Sequence, residues 1–237
     1  MNKFFQIGLL IFSIVISFSY QSMAAIGPAA KIENKLNKEG NYPSHWWTPV
    51  PREGVPTWEI LPQDAKQGEV VLSKRNELGV FSNFGVTPFE FEGQRYNSIE
   101  GLWQMMKYPD PEWSDDPRHA LPQNVWPYTR EQVSKLTGFE AKRAGDEANK
   151  IYEKYKLKLV SFQGKSFDYK DMQEGSDTHF QIIREAIRQK VLQNQEVKEL
   201  LLKTKGLKLI PDHEVAPGKP KAYYYFIILM AIRDFEL

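Results

Sequence analysis

Three residues in the string SIEGLWQMMK at 98–107 have the types and spacing to do chemistry together: Glu100, Gln104 and Lys107. At about 100° per residue on a helix they fall within about 60° of arc, and Leu102, Trp103, Met105 and Met106 take the other side. An acid beside a sugar ring can stabilise positive charge developing on it, or orient a water for attack. An amine two turns away can meet a substrate phosphate as a point charge or, with its pKa depressed, attack an anomeric carbon to form a Schiff base. The plain alternative is an amphipathic surface helix whose polar side meets water, with Glu100 closing a cap.

The surrounding elements must hold that face in place. Asn97 with Glu100 has the form of a capping box and predicts a helix running to about Lys107. Before it, FEFEGQRY at 89–96 alternates like a strand, with Gly93 where a turn can fall, and EVVLS from Glu69 reads as another strand. Ser82 and Asn83 sit in a tight turn ahead of the strand pair. Both can hold sugar hydroxyls or a phosphate, or simply stabilise the turn. Phe84 and Trp103 can stack on a base or wall a ribose, with core packing as the alternative for Trp103.

Residues 108–128 carry five prolines and read as a long loop, either a lid or a disordered segment. Beyond it, Thr129 with Gln132 and Thr137 with Glu140 form further candidate capping boxes, the second opening a helix over about 139–156. Lys142 and Arg143 near its start are candidate phosphate contacts or solvated surface. Asp177 is a candidate cap for a helix marked by Phe180, Ile183, Ala186, Ile187 and Val191. A helix from about Glu196 to Thr204 should end before Gly206. The apolar AYYYFIILMAIRDF at 222–235 reads as helix on length, against the strand character of its tyrosines.

Composition bounds the rest. A chain of 237 residues with 41% hydrophobic and 13% aromatic content supports one well-buried domain. Lys3 before a long apolar run, then Ser22 and Ala24 at small-residue positions, predicts a signal peptide over 1–24 and a periplasmic or secreted protein. The competing reading is an uncleaved membrane anchor, since the 17-residue apolar stretch from Phe4 to Tyr20 approaches the roughly 20 needed to span a bilayer; the small-residue end and the lack of a basic stop-transfer flank favour the signal peptide. Residues 25–67 form a Pro- and Trp-rich arm whose Trp46, Trp47 and Trp58 should pack along the domain at 68–237. Loss of Lys3 leaves 31 − 1 = 30 basic against 30 acidic residues, so no basic surplus points to nucleic acid. There is no cysteine, and the four histidines lack metal-ligand spacing. No metal or organic cofactor is called for.

Phe81, Ser82, Asn83, Phe84, Pro88, Phe89, Gly93, Tyr96, Ser98, Glu100, Gln104 and Lys107 together form an ordered pattern that resembles the NADAR (NAD- and ADP-ribose-related) family. EAKRAG at 140–145, the helix at 182–194 and the closing LMAIR are similar to further family segments. The resemblance implies a single compact α-rich α+β domain and a hydrolase cutting N-glycosidic bonds of a phosphorylated ribosyl or ADP-ribosyl compound. Glu100 and Lys107 would be catalytic. Ser82, Asn83, Phe84, Trp103, Gln104, Lys142 and Arg143 would bind substrate. Arg233 matches the family's terminal arginine, with a structural ion-pair partner as the alternative. The family's Trp-Gly loop and its later Asn and Gly are replaced here, with Tyr223 and Phe226 near those places. That change leaves a non-catalytic ADP-ribose or partner-binding module as the alternative.

Overall fold

The computed structural model describes residues 42–171 and 175–237. The expected signal peptide and the arm before residue 42 lie outside them. In chain order, β1 (Glu69–Val71) precedes a hairpin of β2 (Phe89–Phe91) and β3 (Gln94–Tyr96), which leads directly into α1 (Ile99–Met105). There follow α2 (Arg130–Ser134), α3 (Gly138–Tyr155), a second hairpin of β4 (Val160–Phe162) and β5 (Lys165–Phe167), and α4 (Gly175–Gln193). The chain closes with α5 (Gln195–Lys203), β6 (Lys208–Ile210) and α6 (Tyr225–Phe235). This is the α-rich α+β arrangement expected, with the C-terminal run helical.

β1 and β6 pair in parallel, Val70 opposite Leu209, across most of the body's length. Leu72, Leu209, Leu229 and Ile232 are wholly buried around that pair, which ties both ends of the domain into one core. The two hairpins share one turn design. Glu92 and Gly93 in the first, and Gln163 and Gly164 in the second, all take positive φ, the two-residue geometry that matches strand twist. Their faces then meet, Phe91 stacked on Phe162 at 5.6 Å and 13°.

The described part of the arm packs on the body. Trp46 is fully buried and its indole donates to Glu77 at 2.7 Å, while Trp47 donates to the Glu69 carbonyl at 2.8 Å. Trp58 departs from expectation and stands 53% exposed. These contacts lie on the β1 side of the domain.

Residues 108–128 form neither a lid nor a loose segment. Short 3₁₀ turns at Pro117–Ala120 and Gln123–Val125 break the stretch, and Asp110, Asp116 and Arg118 are buried within it. The Arg118 guanidinium pairs with Asp116 at 2.7 Å and donates to the Met106 carbonyl, the Tyr152 hydroxyl and Ser161 Oγ. Arg130 pairs with Asp110 at 3.2 Å and donates to the carbonyls of Met105, Tyr108 and Ser161. A buried cation stays only where carboxylates and carbonyls surround it. Two of those carbonyls, Met105 and Met106, are at the end of α1, so Arg118 and Arg130 clamp the backbone that leads into Lys107.

Helix starts differ in detail from the sequence expectations. Ser98, not Asn97, caps α1, accepting from Gly101 N at 2.9 Å, and Asn97 instead donates to the Lys135 carbonyl at 2.8 Å. The Thr129–Gln132 box forms as expected. Thr137 makes no side-chain cap, and Asp177 lies inside α4, where it pairs with Lys221 at 2.6 Å. α1 stops at Met105, so Lys107 sits in the following turn, its amide donating to the Gln104 carbonyl at 3.2 Å.

Candidate functional site

The polar face of α1 points inward. Glu100, Gln104 and Lys107 are 8%, 6% and 4% exposed, so the solvated-surface alternative does not hold. Close packing of backbone makes this possible. A Cβ on Gly101 would lie 2.5 Å from the Leu136 carbonyl oxygen, so only glycine lets α1 approach the α2–α3 connection this closely. Ser98 reinforces the approach by donating to that same carbonyl at 2.8 Å.

Glu100 accepts from Gln104 Nε2 at 2.7 Å. Burial pushes its pKa up, opposed by the Gln104 hydrogen bond and by the nearby charges of Lys107 and Lys142. The Gln104 amide has room only because α3 presents a glycine. A Cβ on Gly145 would stand 1.9 Å from Gln104 Oε1. Gly145→Ala is therefore expected to swing the amide off Glu100 and cost about 1–3 kcal/mol by overpacking. The denaturant midpoint should fall together with activity, and an unchanged pair of values would refute this packing.

Lys107 lies over the Trp103 ring, 5.0 Å from its centroid, and 6.0 Å from that of Tyr169. Burial pushes its ammonium down to about 8, against the raising influence of Glu100 and Asp146. Lys170 and Lys142 push the same way as burial. An amine at that value, walled by aromatic rings, is partly free near neutral pH. Acid and amine thus occupy one buried site and shift each other's protonation.

Other expected site residues divide. Trp103 is 8% exposed and helps wall the lysine, so it both packs and lines the site. Asn83 is held beside α1, its carbonyl accepting from Glu100 N at 2.9 Å, and its buried Oδ1 has no partner among the described residues. Ser82 stabilises its own turn, with Oγ accepting from Phe84 N at 3.2 Å. The fully buried Lys190 then fastens that turn by donating to the Val80 and Ser82 carbonyls at 2.7 and 3.0 Å. Phe84 is half-buried and meets Phe139 edge-on at 5.4 Å.

Lys142 is exposed at the rim, paired with Asp146 at 2.6 Å, yet close enough to influence both Glu100 and Lys107. Arg143 is also exposed, and no contact among the described residues ties it to the cluster. Arg233 serves the frame, donating to the Thr204 and Leu207 carbonyls at 2.8 Å and pairing with Asp234 at 2.7 Å.

Sequence reasoning missed four groups here. Lys170 and Tyr169 follow β5, in a hairpin the strand pattern did not flag, although its FQGK turn repeats the FEGQ turn of the first hairpin. His179, 1% exposed, lies against Trp103 at 4.1 Å with the rings tilted by 33°, and has no periodicity to mark it. Tyr223, noted only as a substitution in the C-terminal wall, is half-buried, 6.3 Å from the His179 ring and within electrostatic reach of Glu100.

The motif residues Asn83, Glu100, Gln104 and Lys107, with Trp103 beside them, therefore converge on one buried cluster. The chain resembles the NADAR family. A search of solved structures returns the E. coli protein YbiA, determined by NMR, at 21% identity and a TM-score of 0.43, covering 78% of this chain and 91% of that one. No family model matches the chain, and no curated protein matches it. The NADAR-like pattern contains the acid–amine pair, whereas the C-terminal wall built by Tyr223 departs from it.

Proposed function

We propose that this chain is an exported hydrolase that cuts an N-ribosidic bond in a phosphorylated ribosyl or ADP-ribosyl compound. One observation carries the reading: a buried carboxylate and a buried amine share a site and perturb each other. Breaking the bond from an anomeric carbon to nitrogen builds positive charge on the sugar and negative charge on the leaving nitrogen. Glu100 as carboxylate stabilises the first. Lys107 as free amine bonds to the anomeric carbon while the carbon–nitrogen bond breaks, its electron pair departing on the nitrogen, which takes up the proton that the newly bonded Lys107 nitrogen loses. Ring opening gives a protonated imine on Lys107; water adds to it, and release of the sugar restores the amine. Lys142 and Lys170 at the rim supply positive charge for a substrate phosphate. Export rests on the pattern of residues 1–24, and places the substrate outside the cytoplasm.

Incubation with ADP-ribosylated nucleosides and with ribosylamine phosphates tests this, free base being the product measured. Tyr223 beside Glu100 supports a second reading, a binder of such compounds without turnover. Ligand-dependent thermal stabilisation with no base released by wild type would select it over the enzyme.

A further inference from the structure

His179 lies in the first half of α4 with its ring 4.1 Å from Trp103. Phe167 stacks at 6.4 Å, and Tyr169 and Tyr223 stand nearly perpendicular at 5.9 and 6.3 Å. Both ring nitrogens are buried without a partner among the described residues. A buried polar atom left so destabilises the fold, and an aromatic hydrocarbon would fill the same slot without that cost. A polar ring kept in an aromatic box beside the reactive lysine needs a partner that arrives with the substrate.

The geometry points to His179 as a specificity-determining residue that binds an uncharged donor–acceptor group of the substrate, a sugar hydroxyl or a nucleobase amide edge. A neutral imidazole offers an N–H at one ring nitrogen and a lone pair at the other, so whichever nitrogen faces the substrate can meet a hydroxyl or one atom of an amide edge, and the ring gives a phosphate no charge to pair with. The ring stays neutral here. Burial and the neighbouring Lys107 hold it down to about 3, so it donates and accepts hydrogen bonds but supplies no proton at neutral pH. The assignment rests on the glycosidase reading for its substrate class, and phosphate recognition is left to the lysine rim.

The test uses the full chain with two probes, ribose 5-phosphate and hypoxanthine, each added alone. One of them should move the ¹⁵N resonances of the His179 ring, sugar or base according to which carries the recognised group. His179→Phe, which keeps the stacking and removes both nitrogens, should bind that probe roughly tenfold or more weakly while melting no lower than wild type. If neither probe moves the His179 nitrogens, or if His179→Phe binds equally well, the assignment is overturned, whatever the variant's stability. Movement of the nitrogens with no turnover of any ribosyl substrate by wild type upholds the binding role and sinks the glycosidase reading instead.

Discussion

Glu100→Gln is expected to lower base release by about 10²–10⁴-fold while leaving the fold intact. The substitution keeps the size of the side chain, and the new amide, suitably rotated, can still accept from Gln104 through its oxygen. What disappears is the charge. Burial raises the pKa of Glu100, so the charged form is disfavoured in the folded state relative to the unfolded chain. The sign follows directly. A raised carboxylate pKa means that stability falls as pH climbs through the interval between the unfolded and folded values, and the amide variant is spared that fall. Glu100→Gln should therefore melt at or above the wild-type temperature near pH 7, and below pH 4 the difference should vanish. Loss of activity with gain of stability marks a residue held for function against its own folding cost. An active variant, or one that loses activity only because it unfolds, would remove Glu100 from the chemistry.

The part of this site that lies on one local segment was legible in the sequence. Glu100, Gln104 and Lys107 share a face because helical angle alone requires it, and FEFEGQRY announced its hairpin through alternation and Gly93. The cap was misassigned by one position because Asn97 and Ser98 are both good cap residues and only backbone geometry chooses between them. Whether the polar face meets water or the interior is a different kind of question. Its cover comes from Gly145 on α3, Tyr169 after β5, His179 on α4 and Tyr223 before α6, all distant in sequence. The stretch at 108–128 failed for the same reason. Its prolines spoke for irregular backbone, while its order comes from Arg118 within it and Arg130 on α2, which hold its own Asp116 and Asp110 and reach carbonyls at the end of α1. A lone arginine in a sequence carries no mark of that role.

Formation of a borohydride-trapped adduct at Lys107 is expected to rise with pH through a midpoint near 8, because only the free amine attacks carbon and burial sets its pKa there. A lysine serving as a phosphate anchor predicts the reverse, activity falling above the same midpoint as the charge is lost. Lys107→Arg separates the two. It keeps a cation that cannot deprotonate, so it should form no adduct and lower base release on the order of 10³-fold or more, the scale on which loss of a covalent nucleophile acts. Coupling to Glu100 gives a further reading from the same assay, since Glu100 is the largest influence holding the Lys107 pKa up. If Glu100→Gln retains measurable trapping, its midpoint should lie below that of wild type. Stability must move in step. A depressed lysine pKa means that the unfolded chain binds more protons between about 8 and the ordinary 10.5, so stability owed to Lys107 rises with pH across that window. Lys107→Met, which never carries the buried charge, should lack that rise and should be most stable relative to wild type below pH 8. Retained turnover in Lys107→Arg, with wild-type activity falling above pH 8, would make the lysine an anchor and leave catalysis to Glu100 and water.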